Sequence, residues 1–347
     1  MKKKVSLKDI AQRVGVSIAL VSYVLNNKKE GRINKDVASK IKDTAKALNY
    51  KTNQIAKSLK TNKTNTIGLI VSDISNPFSS SLARIIEDEA DKYGYTVIFG
   101  SSDEDAQKSM KLIDTFLNRQ VDGLIIAPVE NAEEQINQLL QETIPFVLID
   151  RYFPEIRTNY VTLDNFKASQ QAIDHLVQSG YKRIAFITYQ SNLFNLMERR
   201  RGYLTALKAN AIEPKRSWVK EIPFTNAIKC VEKAINDLLS MKENVDAIIF
   251  ASNTLSAAGL KYINNLGIKI PAELAIISFD ESDALDLFYP PVTHIKQPLI
   301  EMGQQTVKIL LENIEKNNKI TQVKMEGELV KRKSVQTVTE KIIHLHQ

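Results

Sequence analysis

The sequence predicts a small all-α head followed by a larger α/β body built on parallel sheets, and three observations predict it. The chain is 347 residues long, more than one core usually serves, so two or three compact units are expected. Residues 1 to 65 hold 16 Lys and Arg against 4 Asp and Glu, whereas the rest holds 31 against 36, so a net of +12 sits on the first fifth and −5 on the remainder. The apolar pattern changes at Ile67, from helical spacing to short continuous runs separated by amphipathic stretches.

With 43% hydrophobic and 25% charged residues the composition is that of an ordinary globular chain. The one cysteine, Cys230, cannot form an internal disulfide, and with four histidines it makes no CxxC pair or HExxH run, so no metal is expected. The amino-terminal lysines run straight into Val5 to Asp9 without an apolar stretch. A signal peptide or membrane span is therefore not expected, and a reducing cytoplasm fits. A basic unit on a mildly acidic body suits a nucleic-acid module joined to a regulatory or catalytic domain. From charge alone, a solubilising basic tail is the bland alternative.

The head occupies residues 1–52. Ser6 and Asp9 stand as a capping box before Leu7, Ile10, Ala11 and Val14, which share a helical face. Gly15 can take the positive φ that ends this helix, Val16 can plug a small core, and Ser17 can cap a second helix running to about Asn26. This is a helix-turn-helix signature. A third helix starts at Asn34 and carries Val37, Ile41 and Leu48 on one stripe.

In such a module the second helix enters the major groove with its amino-terminal side chains at base edges. Val21, Val24 and Leu25 can face the core, which leaves Ile18, Ala19 and Leu20 apolar on the outer side. Thymine methyl groups would cover them, while Ser22 and Tyr23 can hydrogen-bond to phosphates or base edges. Packing of Ile18 or Leu20 against a neighbouring helix is the structural alternative. Ser6, Ser17 and Asn26 border this surface and complete the candidate set. The surrounding Lys and Arg side chains would neutralise phosphates.

The segments VSLKDIAQRVGVSIALVSYVLNN, ALNYKTNQIAKSLKT and TIGLIVSDISNPF, followed by VDGLIIAP, VLIDRYF, VTLDN, GYKRIAFI, RRRGY, SFDES and PPVTHIKQP, resemble in order and spacing the LacI/GalR family of bacterial transcription factors. The resemblance covers nearly the whole chain. Members often carry Thr where Leu20 stands and Arg where Tyr23 stands, so it implies the groove but not the operator sequence. Residues 53–66 then resemble the family's hinge helix and linker, which forms when two copies meet on DNA. Asn53 lies in that segment, Leu59 matches the leucine that enters the minor groove, and Ala56 allows close approach. An inserted side chain of this kind unstacks a base step and kinks the duplex. Docking of Leu59 on the body is the alternative.

The body, residues 67–340, shows the runs IGLIV, TVIFG, GLIIA, FVLID, RIAFIT, AIIFA and LAIISF. Runs of that kind belong to strands buried on both faces, hence to parallel sheets under helices. They make two α/β units, about 67–164 and 165–294. The resemblance implies the type I periplasmic-binding-protein fold, Rossmann-like in each half. It also implies a return crossing near Ile295, so that residues 295–320, with a helix at about 299–316, complete the first unit.

Ligands of open parallel sheets sit beyond the carboxyl ends of the strands, and a cleft between two such units is the default site. Asp73, Ser75 and Asn76 follow the first strand, Asp150 and Arg151 end another, Asn253 follows AIIFA and Asp280 follows LAIISF. The resemblance adds Arg199 and Gln297 as effector contacts. Phe78 and Phe224 could stack on a ring. Carboxylates, amides and an arginine beside aromatic faces suit a sugar, because each desolvated hydroxyl needs donors and acceptors. Asn76 can alternatively serve only as a helix cap, Arg199 can pair with Glu198 or Asp280, and Thr254 departs from the Asp common at that position of the family.

Two rivals stand beside this reading. An α/β enzyme would share the cleft, but no GxGxxG, GxxxxGK[ST] or GxSxG is present and no cofactor is expected. A secreted sugar-binding protein would share the body but not the basic head. The expectation is a cytoplasmic, homodimeric, sequence-specific transcription regulator, most simply a repressor. It would read a near-palindromic operator in double-stranded DNA under the control of a small-molecule effector, without a membrane partner.

Overall fold

The computed structural model describes residues 5–26, 32–50, 63–315 and 319–336, in two compact units that divide between Thr64 and Asn65. Helix α1 (Leu7–Val14) begins where Ser6 and Asp9 cap each other: the Asp9 N–H donates to Ser6 Oγ and the Ser6 N–H donates to Asp9 Oδ2 at 2.7 Å. It ends at Gly15, whose φ of 78° is the left-handed turn foreseen for it. Helix α2 (Ile18–Leu25) starts at Ser17, whose Oγ accepts from the Leu20 N–H at 3.2 Å. Helix α3 (Lys35–Ala47) starts at Asn34. Ile10, Ala11, Val21, Val24, Ile41 and Ala45 form the core of this unit. Leu20, expected on the outer side, is half-buried against that core.

In the second unit β1 (Thr66–Val71), α4 (Pro77–Lys92), β2 (Thr96–Ser101), α5 (Ala106–Asn118), β3 (Gly123–Ile126), α6 (Glu133–Gln141), β4 (Phe146–Ile149) and β5 (Tyr160–Leu163) make the first half. The second half begins with α7 (Asn165–Gln178), β6 (Ile184–Tyr189) and α8 (Phe194–Ala209). It continues with β7 (Val219–Ile222), α9 (Ala227–Leu239), β8 (Ala247–Phe250), α10 (Asn253–Asn265), β9 (Ala275–Phe279), the short α11 (Asp283–Leu287) and β10 (Thr293–Lys296). Helix α12 (Leu299–Ile314) and strands β11 (Gln322–Met325) and β12 (Glu328–Val330) follow. Among the described residues no helix is long and apolar enough to cross a membrane.

The sheets run β2-β1-β3-β4-β5-β11 and β7-β6-β8-β9-β10-β12. The first is parallel throughout, and in the second only β12 is antiparallel. Five strands of each half therefore repeat one doubly wound order, with its switch point beside β1 and β6. Apolar runs explain the layering. Ile67, Leu69 and Val71 face the cluster shared with α4 and α12, while Ile70 faces α5 and α6. Because both faces are covered, these strands show no polar alternation.

The chain passes between the halves three times: after Leu163 into α7, after Lys296 into α12, and from β11 through Glu326 and Gly327 into β12. The return near Ile295 was expected. The third passage was not, and it puts β12 into the second sheet, with Ile295 opposite Leu329. At this seam Asp164 N–H donates to Met325 O at 2.7 Å. A Cβ on Gly327 would lie 3.1 Å from both Leu163 and Ile295 side-chain atoms.

Candidate functional site

The loops at the carboxyl ends of both sheets enclose a cavity of about 110 Å³. From the first half it is lined by Ser72, Asp73, Asn76, Phe78, Ser79, Glu104, Asp150 and Arg151, and from the second by Tyr189, Asn195, Leu196, Arg199, Phe224, Ser252, Thr254 and Asp280, with Gln297 on a passage between them. A second cavity of about 220 Å³ shares Phe78, Asp280 and Gln297 with it.

Asp150 and Asp280 hold equivalent places in the repeat. Each follows the fourth strand of its sheet, each has a left-handed backbone, with φ of 66° and 69°, and each donates its N–H to the fifth strand at 2.9 Å, to Val161 O and Ile295 O. Aspartate tolerates this conformation better than a β-branched residue, and it turns the side chain out of the sheet. Asp280 Oδ1 accepts from Gln297 Nε2 at 2.6 Å. Asp150 Oδ2 lies 3.6 Å from Arg151 Nε, while Oδ1 is buried without a partner. Burial pushes the Asp150 carboxyl up to about 6; Arg151 and Arg199 pull against it, and Asp280 and Glu104 add to it.

Arg199 is 3% exposed. Its Nε donates to Asn165 Oδ1 at 2.7 Å, its Nη1 donates to Ala251 O at 2.6 Å, and its guanidinium lies 4.2 Å over the Phe279 ring. The alternative pairing with Glu198 does not occur, because Glu198 takes Arg201 in a two-pronged bridge at 2.7 Å. Burial lowers the Arg199 pKa, opposed by Asp280 and Asp150. Gly202 explains how α8 comes so near α7: a Cβ there would stand 2.3 Å from Phe166 O. Phe224 stacks on Tyr189 at 4.2 Å and 11°, and the pair forms an aromatic wall. Burial raises the Tyr189 pKa, against hydrogen bonds with Ser252 and Thr254.

Most expected cleft residues meet here, with two differences. Ser75 is exposed and does not line the cavity; its N–H and Oγ both donate to Asp73 Oδ1, at 2.8 and 2.7 Å. Asn253 sits just behind the lining at 5% exposure, where its Nδ2 donates to Asn76 Oδ1 at 2.8 Å. That same Asn76 oxygen accepts from the Phe78 N–H at 3.0 Å, so Asn76 is both a cap and a contact between the halves. A second contact joins them through Glu130, which accepts from Asn192 N–H at 2.8 Å and Ser191 Oγ at 3.1 Å.

Sequence reasoning missed Glu104, Tyr189, Asn195 and Ser252 as lining residues. Tyr189 ends β6 and Glu104 follows β2, so the strand-end rule applied evenly would have found both. Asn195 lies one helical turn before Arg199.

On the head, Ile18 is 48% exposed, Ala19 is exposed and Tyr23 is 37% exposed, while Ser22 is half-buried beside Asn26, whose Nδ2 donates to Ser22 O at 2.7 Å. Ser6 and Ser17 are exposed, with their Oγ atoms serving as caps. Leu20 is better described as a core-flanking side chain, because α2 turns it toward the same interior as Val21 and Val24. Asn53, Ala56 and Leu59 lie outside the described residues.

Comparison with known proteins agrees with both units. Residues 6–53 match the bacterial regulatory proteins of the lacI family, and residues 64–333 match the periplasmic binding proteins and sugar binding domain of the LacI family. The chain is 30% identical over 333 residues to the HTH-type transcriptional regulator RegA of Clostridium saccharobutylicum, covering 95% of this chain and 98% of that one. It is 30% identical over 311 residues to the ribose operon repressor of Halalkalibacterium halodurans, covering 90% and 91%. The lac repressor dimer bound to operator and an anti-inducer has the same fold, with a TM-score of 0.86 at 22% identity over 96% of this chain and 100% of that one. A capped helix-turn-helix ahead of a doubled α/β cleft, matched along nearly its whole length, places the chain in the LacI family of bacterial transcription regulators.

Proposed function

We propose that this chain is a cytoplasmic, homodimeric repressor that reads a near-palindromic operator through two heads and senses a sugar in the cleft of its body. The observation that carries the reading is the set of buried polar atoms left without partners in the cavity, foremost Asp150 Oδ1 and Gln297 Oε1. Such atoms are costly unless a polar ligand meets them. The Tyr189–Phe224 wall beside them suits the apolar face of a sugar ring.

On the head, Ile18, Ala19, Ser22 and Tyr23 would face base edges, with Ser6, Ser17 and Asn26 at the border of the surface. Asn53, Ala56 and Leu59 would form the hinge that orders on DNA, with Leu59 in the minor groove. An effector that binds one closure state of the body better than the other shifts hinge order and operator affinity together, and the coupling is reciprocal.

The test is fluorescence anisotropy of the full-length protein on operator DNA against a panel of sugars. A sugar should move the operator midpoint in wild type and leave Arg199→Ala unmoved while that variant still binds operator. An unchanged response in Arg199→Ala would remove this residue from the site.

A further inference from the structure

Both cations of the cleft already have protein partners. Arg151 Nη1 and Nη2 donate to Glu104 Oε2 and Oε1 at 2.7 and 2.8 Å, with both side chains largely shielded from solvent. Arg199 is engaged by Asn165 Oδ1 and Ala251 O. Around these two cations the same cavity is lined by four carboxylates, Asp73, Glu104, Asp150 and Asp280. The buried lining atoms without partners are three acceptors, Asp150 Oδ1, Asn195 Oδ1 and Gln297 Oε1, and one donor, Arg151 Nε. A ligand that satisfies them must bring chiefly O–H or N–H groups. A phosphate dianion brings chiefly acceptors, and it would have to displace Glu104 from Arg151 in surroundings where an uncompensated charge is expensive.

The backbone is set for this arrangement. Asp103 and Glu104 both have left-handed φ, 52° and 57°, and such pairs persist only where the surroundings hold them. Asp103 accepts from Lys108 Nζ and from Ser101 Oγ. Glu104 instead turns into the cleft, and its N–H donates to Ser72 O at 3.1 Å.

We infer that the effector is a polyhydroxyl compound without negative charge, and that Glu104 is the specificity-determining residue that bars phosphorylated sugars by occupying Arg151. The inference rests on the cleft being an effector site. It is tested by isothermal titration of the full-length protein with hexoses, pentoses and disaccharides, each beside its phosphate ester, in wild type and in Glu104→Gln. Wild type should bind at least one neutral sugar at least tenfold more tightly than its ester, and Glu104→Gln should lower that ratio at least tenfold. An ester that binds wild type more tightly than its parent overturns the inference, and this comparison needs no variant. A ratio unchanged in a Glu104→Gln protein of normal melting temperature removes the role of Glu104. Heat from no member of the panel would overturn the sugar-site reading itself, and the inference with it.

Discussion

Asn253 and Asn76 meet across the cleft through a single 2.8 Å hydrogen bond, and the accepting oxygen is the one that caps α4. Closure of the body is thereby tied to the first turn of a helix in its other half. Losing such a bond costs about 1 kcal/mol, and losing a cap costs about 1 kcal/mol more. In urea titrations Asn253→Ala should lose about 1 kcal/mol and Asn76→Ala about 2 kcal/mol. The double variant should match Asn76→Ala alone, since both changes remove the same contact. Additive losses would show that the two side chains act separately.

The Asp150 carboxyl, raised by burial to about 6 from 3.8, keeps its proton in the native state at pH values where the unfolded chain has released it. Between about pH 4 and 6 the native state binds more protons, so this group's contribution to stability falls as pH rises through that window and is flat above it. Asp150→Asn should remove that slope and stabilise the protein at pH 7.5 by up to about 3 kcal/mol. Sugar affinity should fall in the same variant, and in wild type it should weaken below pH 6. Melting curves and titrations at pH 5 and 7.5 check both.

Gly202→Ala should cost about 1–3 kcal/mol, because the added methyl would press on the α7 backbone at Phe166. It should also weaken the effector response, since Arg199 lies one turn earlier on the same helix and would be drawn away from Asn165. Operator binding without effector should stay near the wild-type level. A displaced helix with an intact dose response would separate Arg199 from the response.

Ile18→Ser should leave the melting temperature of the head unchanged, because the side chain is 48% exposed and outside the core. Specific operator binding should weaken by about tenfold, the scale of burying one apolar side chain against thymine methyls. The salt dependence should keep its slope, since no phosphate contact is lost. A changed slope with unchanged specific affinity would take Ile18 off the base edges.

Local rules made much of this molecule readable. Capping at Ser6 and Ser17 and the turn at Gly15 depend on a few neighbouring residues, so the head's helices could be placed from the chain alone. Asp73, Asp150 and Asp280 were found because strand ends face the cleft in any doubly wound sheet. Glu104 lies within reach of the same rule, three residues past β2, but its turn into the cleft depends on two successive left-handed residues, Asp103 and Glu104. Leu20 was misplaced because a helix of eight residues leaves its boundary positions undecided until neighbouring helices pack on it. The passage through Gly327 was hidden for a different reason: β12 is three residues long and gains its partner from β10, more than thirty positions away.

Three short stretches of backbone, after Leu163, after Lys296 and through Gly327, form the spine that joins the two boards of the body. The Asp164–Met325 bond lies within the first sheet and the Ile295–Leu329 pairing within the second, so each board keeps its own ladder up to the crossing. Gln297 is itself part of the spine and grips Asp280. A ligand in the mouth of the cleft would therefore meet a residue of the spine itself.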